Sequence, residues 1–214
     1  MPAKNYVAIE GVIGVGKTTL SRLLAEKWKA HLKLEVVEEN PFLAQFYADM
    51  RGYAFQTQLF FLLSRHRQQL ELKQSDMFME RVVADYLFAK DRIFANITLD
   101  DNELALYKRL ADLLERDVPK PDVVVYLQAS DDVLMERIRR RGRDFERDMS
   151  RDYIETLNEA YNYFFFHYTD TPLIVVNTND IDFVKSSADF EELAKEIEEH
   201  DTGTAYYVPI GTRS

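Results

Sequence analysis

The stretch Gly11-Val12-Ile13-Gly14-Val15-Gly16-Lys17-Thr18, GVIGVGKT, decides the fold. It follows directly on the apolar run Tyr6-Val7-Ala8-Ile9 and opens a segment in which Leu20, Leu23 and Leu24 recur at helical spacing. This is G-x-x-x-x-G-K-[ST] in its required setting, a strand before and a helix after. The spacing has a chemical reason. Glycines let successive backbone N–H groups turn inward around a phosphate, and Lys17 reaches the outer phosphates as a point charge. Thr18 offers a hydroxyl to Mg²⁺, and the helix aims the positive end of its dipole at the anion. The pattern predicts a nucleoside triphosphate site on Gly11, Gly14, Gly16, Lys17, Thr18 and Thr19.

Working outward, further short apolar, β-branched runs occur at Leu34–Val37, Arg81–Asp85, Asp122–Leu127 and Leu173–Val176. Between them lie helical patterns. Phe55, Leu59, Leu62 and Leu63 mark a long helix after Gly52, and Leu104, Tyr107, Leu110 and Leu113 mark another before the Pro119-Lys120-Pro121 break. Apolar strands alternating with helices imply a parallel sheet covered on both faces. The expected architecture is an α/β P-loop kinase fold: a five-stranded parallel sheet, helices on both faces and an arginine-rich lid at about 137–150. One domain is expected over 1–200, with 201–214 a mobile or late-docking tail.

A net charge of −10 argues against wrapping nucleic acid, whose phosphates demand basic surface. Positive charge gathers instead between Arg137 and Arg147. The chain has no cysteine, hence no disulfide framework and no thiolate metal site, which suits a reducing cytosol. The four histidines lack metal-ligand spacing. No apolar run approaches a membrane span, so a cytoplasmic protein without membrane partners is expected.

An ATP site alone does not name a reaction. Four segments add to the phosphate loop: Leu34–Asn40 (LEVVEEN), Tyr47–Arg65 (YADMRGYAFQTQLFFLLSR), Val82–Ala95 (VVADYLFAKDRIFA) and Arg137–Glu146 (RIRRRGRDFE). In this order and spacing the chain resembles the deoxynucleoside kinase family, most of all its bacterial deoxyadenosine and deoxyguanosine kinases, from Tyr6 to about His200. The resemblance implies a small-molecule deoxynucleoside as substrate, ATP and Mg²⁺ as cofactors, and a homodimer packed through helices.

It also implies roles. Gln58 and Arg65 would hold the nucleobase; seven residues apart, they share one helical face about 10 Å along the axis. Tyr47 and Glu146 would hold the sugar, and Asp91 would meet the base beside Arg65. A carboxylate must accept the 5′-hydroxyl proton. Glu35, Glu38 and Glu39 are candidates, and the spacing from Lys17 favours Glu35. The usual Glu-Pro-Val reads Glu35-Val36-Val37 here, so Glu38 stays a rival. Asp85 ends an apolar run beside the phosphate loop, where a carboxylate is placed to order Mg²⁺. The family's acidic residue is followed by arginine, whereas this chain has Asp85-Tyr86; Glu80-Arg81 is a competing alignment. Arg137, Arg141 and Arg143 match the lid pattern R-x-x-x-R-G-R and would stabilise charge on the β- and γ-phosphates. Two alternatives stand beside this reading: a nucleoside-monophosphate kinase such as a thymidylate kinase, and a non-catalytic nucleotide-binding relative.

Overall fold

The computed structural model describes residues 4–75, 81–146, 149–181, 183 and 186–207. Four of the apolar runs become strands β1 (Tyr6–Gly11), β3 (Val82–Ala84), β4 (Val123–Gln128) and β5 (Leu173–Asn177). β2 (His31–Lys33) and β6 (Thr204–Tyr207) form the two edges of the sheet, whose order is β2-β3-β1-β4-β5-β6 with every pair parallel. Val7, Ala8, Ile9, Val83, Val124 and Ile174 have no exposure at all. Both faces of these strands are covered, which is why they read as continuous apolar runs rather than as alternation.

The covering helices are α1 (Lys17–Trp28), α2 (Leu43–Ala48), α3 (Met50–Ser75), α4 (Lys90–Thr98), α5 (Asp101–Leu114), α6 (Asp131–Arg141), α7 (Arg151–Phe166) and α8 (Ser187–Glu199). The start of α5 is fixed by a reciprocal cap. Asp100 accepts from the backbone of Asn102 and Glu103 while the Glu103 side chain accepts from the Asp100 N–H. The sheet turns the ends of β1 and β3 and the segment after β2 toward one rim. The phosphate loop, Asp85 and Glu35 meet there, in keeping with ligand sites at the carboxyl ends of parallel strands.

Two expectations are corrected. The sheet has six strands rather than five, because Thr204–Tyr207 pairs with β5 from Leu173↔Thr204 to Val176↔Tyr207. The part of the tail that is described is therefore docked. The Tyr207 hydroxyl reaches the Asp189 carbonyl at 3.3 Å and Glu192 at 3.0 Å, tying the strand to α8. The second strand also lies earlier than the apolar run at 34–37. β3 spans three residues and offers partners only to His31, Leu32 and Lys33, after which Asp85 caps the edge by accepting the Glu35 N–H at 2.6 Å. Glu35 thus sits just beyond the strand. Glu80 of the competing alignment, Arg147 and residues 208–214 lie outside the described residues.

Candidate active site

The phosphate loop has the backbone its glycines allow. Gly14 has φ +87° and Gly16 φ +111°, a region that side chains disfavour. A Cβ on Gly14 would stand 2.7 Å from Ile138 Cγ1 on α6, whereas one on Gly16 would meet nothing within 4 Å. Gly16 caps α1, so the first N–H groups of a twelve-residue helix face the open side of the loop. Lys17 folds back and donates to the carbonyls of Gly11 (2.6 Å) and Val12 (3.3 Å). Burial, and next the charge of Lys90, lower its pKa from the ordinary lysine value to about 8. The Thr18 hydroxyl donates to Asp85 Oδ2 at 2.6 Å, joining loop and β3 as their sequence positions anticipated. Gly11 and Thr19 complete the loop, with Thr19 on the wall of the cavity.

That cavity holds about 700 Å³ and runs from the phosphate loop to Gln58 and Tyr47. Along the side of the cavity away from Gly14 and Gly16, four charges alternate. Asp91, 1% exposed, pairs with Arg65 Nη1. Arg65 donates to Glu35 Oε1 through Nε (2.8 Å) and Nη2, and Lys90 Nζ donates to Glu35 Oε2 at 2.7 Å. Burial would raise the Glu35 pKa, but the charges and hydrogen bonds of Arg65 and Lys90 outweigh it and hold the carboxyl well below its usual range. The Arg65 guanidinium also covers the Phe61 ring at 4.7 Å. Gln58 is 2% exposed, and among the described residues its buried carbonyl oxygen has no hydrogen-bond partner. A base edge supplies the kind of donor that oxygen lacks. Gln58, Arg65, Asp91 and Glu35 are therefore brought together, while Glu38 and Glu39 are exposed and pair with Arg143 (2.9 Å) and Arg67 (3.7 Å).

On the lid side, Arg141 donates to Glu146 through Nε (3.1 Å) and Nη2 (2.5 Å), and Arg143 Nη1 lies 3.8 Å from the same carboxylate. Gly142, with φ +67°, ends α6 and lets Arg143 turn back. Tyr47 is half-buried beside them; burial, then the nearby Tyr153 and Glu146, raises its pKa well above the ordinary value. Arg137 is placed differently from the other two. Its guanidinium donates to the Val15 carbonyl (2.9 Å), to the Thr178 carbonyl (2.7 Å) and hydroxyl (3.1 Å), and to the Ile181 carbonyl (3.4 Å). It braces the phosphate loop against the turn after β5.

A family model described as deoxynucleoside kinase matches residues 7–201. The chain belongs to the deoxynucleoside kinase family. Its relatives include a deoxyguanosine kinase of Bacillus subtilis (strain 168), 37% identical over 93% of this chain and 99% of that protein. Another is a deoxyadenosine kinase of Lactobacillus acidophilus, 32% identical over 91% of this chain and 95% of its own length. Among solved structures, deoxyadenosine kinase from M. mycoides with bound dATP is similar, with a TM-score of 0.78 and 29% identity over 89% of this chain and 97% of that one. This deoxynucleoside kinase is thus a phosphotransferase acting on deoxynucleosides, which sets aside the monophosphate-kinase and non-catalytic alternatives. Sequence reasoning missed Lys90. It stands immediately before Asp91 in the segment Val82–Ala95, where no spacing singled it out.

Proposed function

We propose that this kinase transfers the γ-phosphoryl group of ATP to the 5′-hydroxyl of a purine deoxynucleoside, deoxyguanosine or deoxyadenosine. The observation that carries this is the chain Asp91–Arg65–Glu35, set between the phosphate loop and a Gln58 carbonyl that has no partner among the described residues. Gln58, Arg65 and Asp91 take the base; their fixed donors and acceptors suit a purine edge, and the deoxyguanosine and deoxyadenosine kinases among the relatives favour the same acceptors. Tyr47 and Glu146 position the sugar. Glu35 accepts the 5′-hydroxyl proton, because it is buried at the cavity wall whereas Glu38 lies outside on Arg143.

Lys17 swings from the Gly11 and Val12 carbonyls to the outer phosphates. Arg141 and Arg143 stabilise the transferring group as the lid closes, and Arg137 holds the loop in register from behind. The Thr18 hydroxyl and Asp85 carboxylate, 2.6 Å apart, form a hard-oxygen pair that would hold Mg²⁺. Bound there, the ion neutralises charge on the β- and γ-phosphates.

The same reading extends to a homodimer. Tyr163 and Phe166 on α7 are 70% and 79% exposed, beside a second hollow lined by Ile93, Asn96 and Phe164. We assign this α4–α7 face to the second copy, in the cytosol that a cysteine-free chain suits. Among the described residues no helix is long and apolar enough to cross a membrane.

The test is ATP-dependent transfer to deoxyguanosine, deoxyadenosine, deoxycytidine and thymidine, with Glu35→Gln and Glu38→Gln alongside. Purine turnover lost in Glu35→Gln by about 10²–10⁴-fold, and kept in Glu38→Gln, is expected. The reverse pattern would move the base to Glu38, and pyrimidine preference would overturn the purine assignment. Sedimentation of Phe166→Asp checks the dimer face.

A further inference from the structure

Lys90 is 3% exposed and opens α4. Burial strips water from its ammonium, and the first turn of a helix is the wrong end for a cation. Something must offset both costs. The Glu35 carboxylate at 2.7 Å does so in part, and the Phe94 ring lies 5.8 Å away. Yet Lys90 also lines the cavity together with Lys17, and their charges repel. Two ammonium groups facing one space favour an anion between them.

The neighbouring sequence sharpens this. The position after Asp85, where the family pattern has arginine, is Tyr86. Its side chain has no exposure, and its hydroxyl accepts from Gln69 Nε2 at 3.2 Å, so it sends no charge to the cavity. Backbone bonding instead turns the chain so that the next cation faces the site. Buried Glu10 accepts the Leu87 N–H at 2.7 Å and the Gly11 N–H at 2.9 Å, coupling this turn to the phosphate loop. The Lys90 N–H then closes on the Leu87 carbonyl at 3.1 Å, starting α4.

We propose that Lys90 is a catalytic residue of this kinase, whose ammonium passes from Glu35 Oε2 to the transferring phosphoryl group as Glu35 takes the 5′-hydroxyl proton. The proposal rests on the assignment of Glu35 as base. The geometry selects which cation moves. Oε1 is held by two Arg65 nitrogens, and Arg65 is itself fixed by Asp91, so Oε2 is the oxygen open to exchange. In the step, the 5′-oxygen bonds to the γ-phosphorus. The bond from that phosphorus to the β–γ bridging oxygen breaks, its electron pair leaving on ADP, and the 5′-hydroxyl proton goes to Oε2. Neutralising Glu35 frees Lys90 just as negative charge spreads over the phosphoryl oxygens.

Lys90→Met keeps the stem and removes the charge; Lys90→Arg restores a cation. With the full chain, we expect kcat of Lys90→Met to fall about 10²–10³-fold, with KM for ATP and deoxynucleoside within about threefold. Lys90→Arg should regain at least tenfold of the loss. A kcat within threefold of wild type, or a rise in KM with kcat intact, would overturn the proposal and leave Lys90 as a counter-charge only. Should Lys90→Met not fold, Lys90→Ala with added methylammonium decides: rate rescue saturating with the amine supports the role, and rescue of thermal stability without rate refutes it. Glu35→Gln separates the two readings. An active Glu35→Gln enzyme overturns the partner exchange together with the base assignment, whereas an inactive one beside a fully active Lys90→Met enzyme overturns Lys90 alone.

Discussion

Replacing Arg65 by Met tests the ionic chain that organises the site. The guanidinium is the counter-charge for two carboxylates at once: Asp91, 1% exposed, and Glu35, whose side chain is 11% exposed. Glu35 keeps Lys90 when Arg65 is lost, but both Asp91 oxygens are buried and have no hydrogen bond, so Arg65 is the counter-charge that the described structure gives it. Removing one partner of a buried pair leaves an uncompensated charge and costs about 3–5 kcal/mol. For a chain of this size each kcal/mol moves the midpoint by about 2–4 °C, so Arg65→Met should melt roughly 6–20 °C lower.

The pH dependence gives a sharper check, because its sign should invert. In the wild-type protein Glu35 titrates below its ordinary range. Its contribution is therefore complete above the unfolded carboxylate value of about 4.3 and is lost as pH falls below that. In Arg65→Met the stranded Asp91 is most easily buried as the neutral acid. The folded form then holds a proton that the unfolded chain has released, and the variant gains stability between pH 7 and 5. Thermal unfolding followed by circular dichroism from pH 7 down to about pH 3 reads both effects. Arg65→Met/Asp91→Asn, which removes the stranded charge, should recover more than half of the loss. A single variant within about 1 kcal/mol of wild type, or one whose stability falls with acid as the parent's does, would refute the reasoning.

Lys17 carries a pKa lowered to about 8, so kcat/KM for ATP should decline above about pH 8, while stability rises with pH from there toward the unfolded lysine value as the buried charge is shed. A flat ATP profile to pH 9.5 would contradict this. Gly14→Ala places a Cβ 2.7 Å from Ile138 Cγ1 at φ +87°, and calorimetry should show ATP affinity lost with the fold intact. Gln58→Leu should raise the deoxynucleoside KM about 10–100-fold and leave the ATP KM unchanged, the measure of a lost base contact. A chain ended after Gly203 removes β6 and its pairing with β5, and it should melt lower by about 2–4 °C for each hydrogen bond lost, taken at about 1 kcal/mol.

The parts legible in sequence were those whose physics is local. GVIGVGKT fixes a strand, a turn and a helix start by itself, and fully buried strands announce themselves as apolar runs. The edges of the sheet were harder. β2 carries the exposed His31 and half-buried Leu32 and Lys33, because an edge strand is covered on fewer sides, and the more apolar stretch beyond it finds no partner along three-residue β3. β6 is exposed at Thr204 and Tyr206 and half-buried at Ala205 and Tyr207, a period-two signal only four residues long. In the site, Gln58 and Arg65 were expected from the family resemblance, and helical spacing put them on one face. The contact of Arg65 with both Asp91 and Glu35 was not legible from spacing, since it joins α3, α4 and the segment after β2 across up to 56 residues of separation between Glu35 and Asp91.

Lys90 shows why such a residue escapes a sequence reading and why charge must be counted locally. A chain of net charge −10 binds a polyanion here only because its cations converge where the sheet places them. Lys17, Lys90, Arg137, Arg141 and Arg143 all line one cavity, and each has a protein partner there: Lys17 and Arg137 backbone carbonyls, Lys90 Glu35, Arg141 and Arg143 Glu146. These partners offset the repulsion among the cations. They also make binding an exchange of partners rather than a simple addition of charge. A backbone carbonyl is easily surrendered to a phosphate; a buried carboxylate is not, unless it is protonated at the same moment. Of the five, Lys90 is the one whose partner is proposed to take a proton during the reaction, which is why its charge becomes available in step with the chemistry rather than before it.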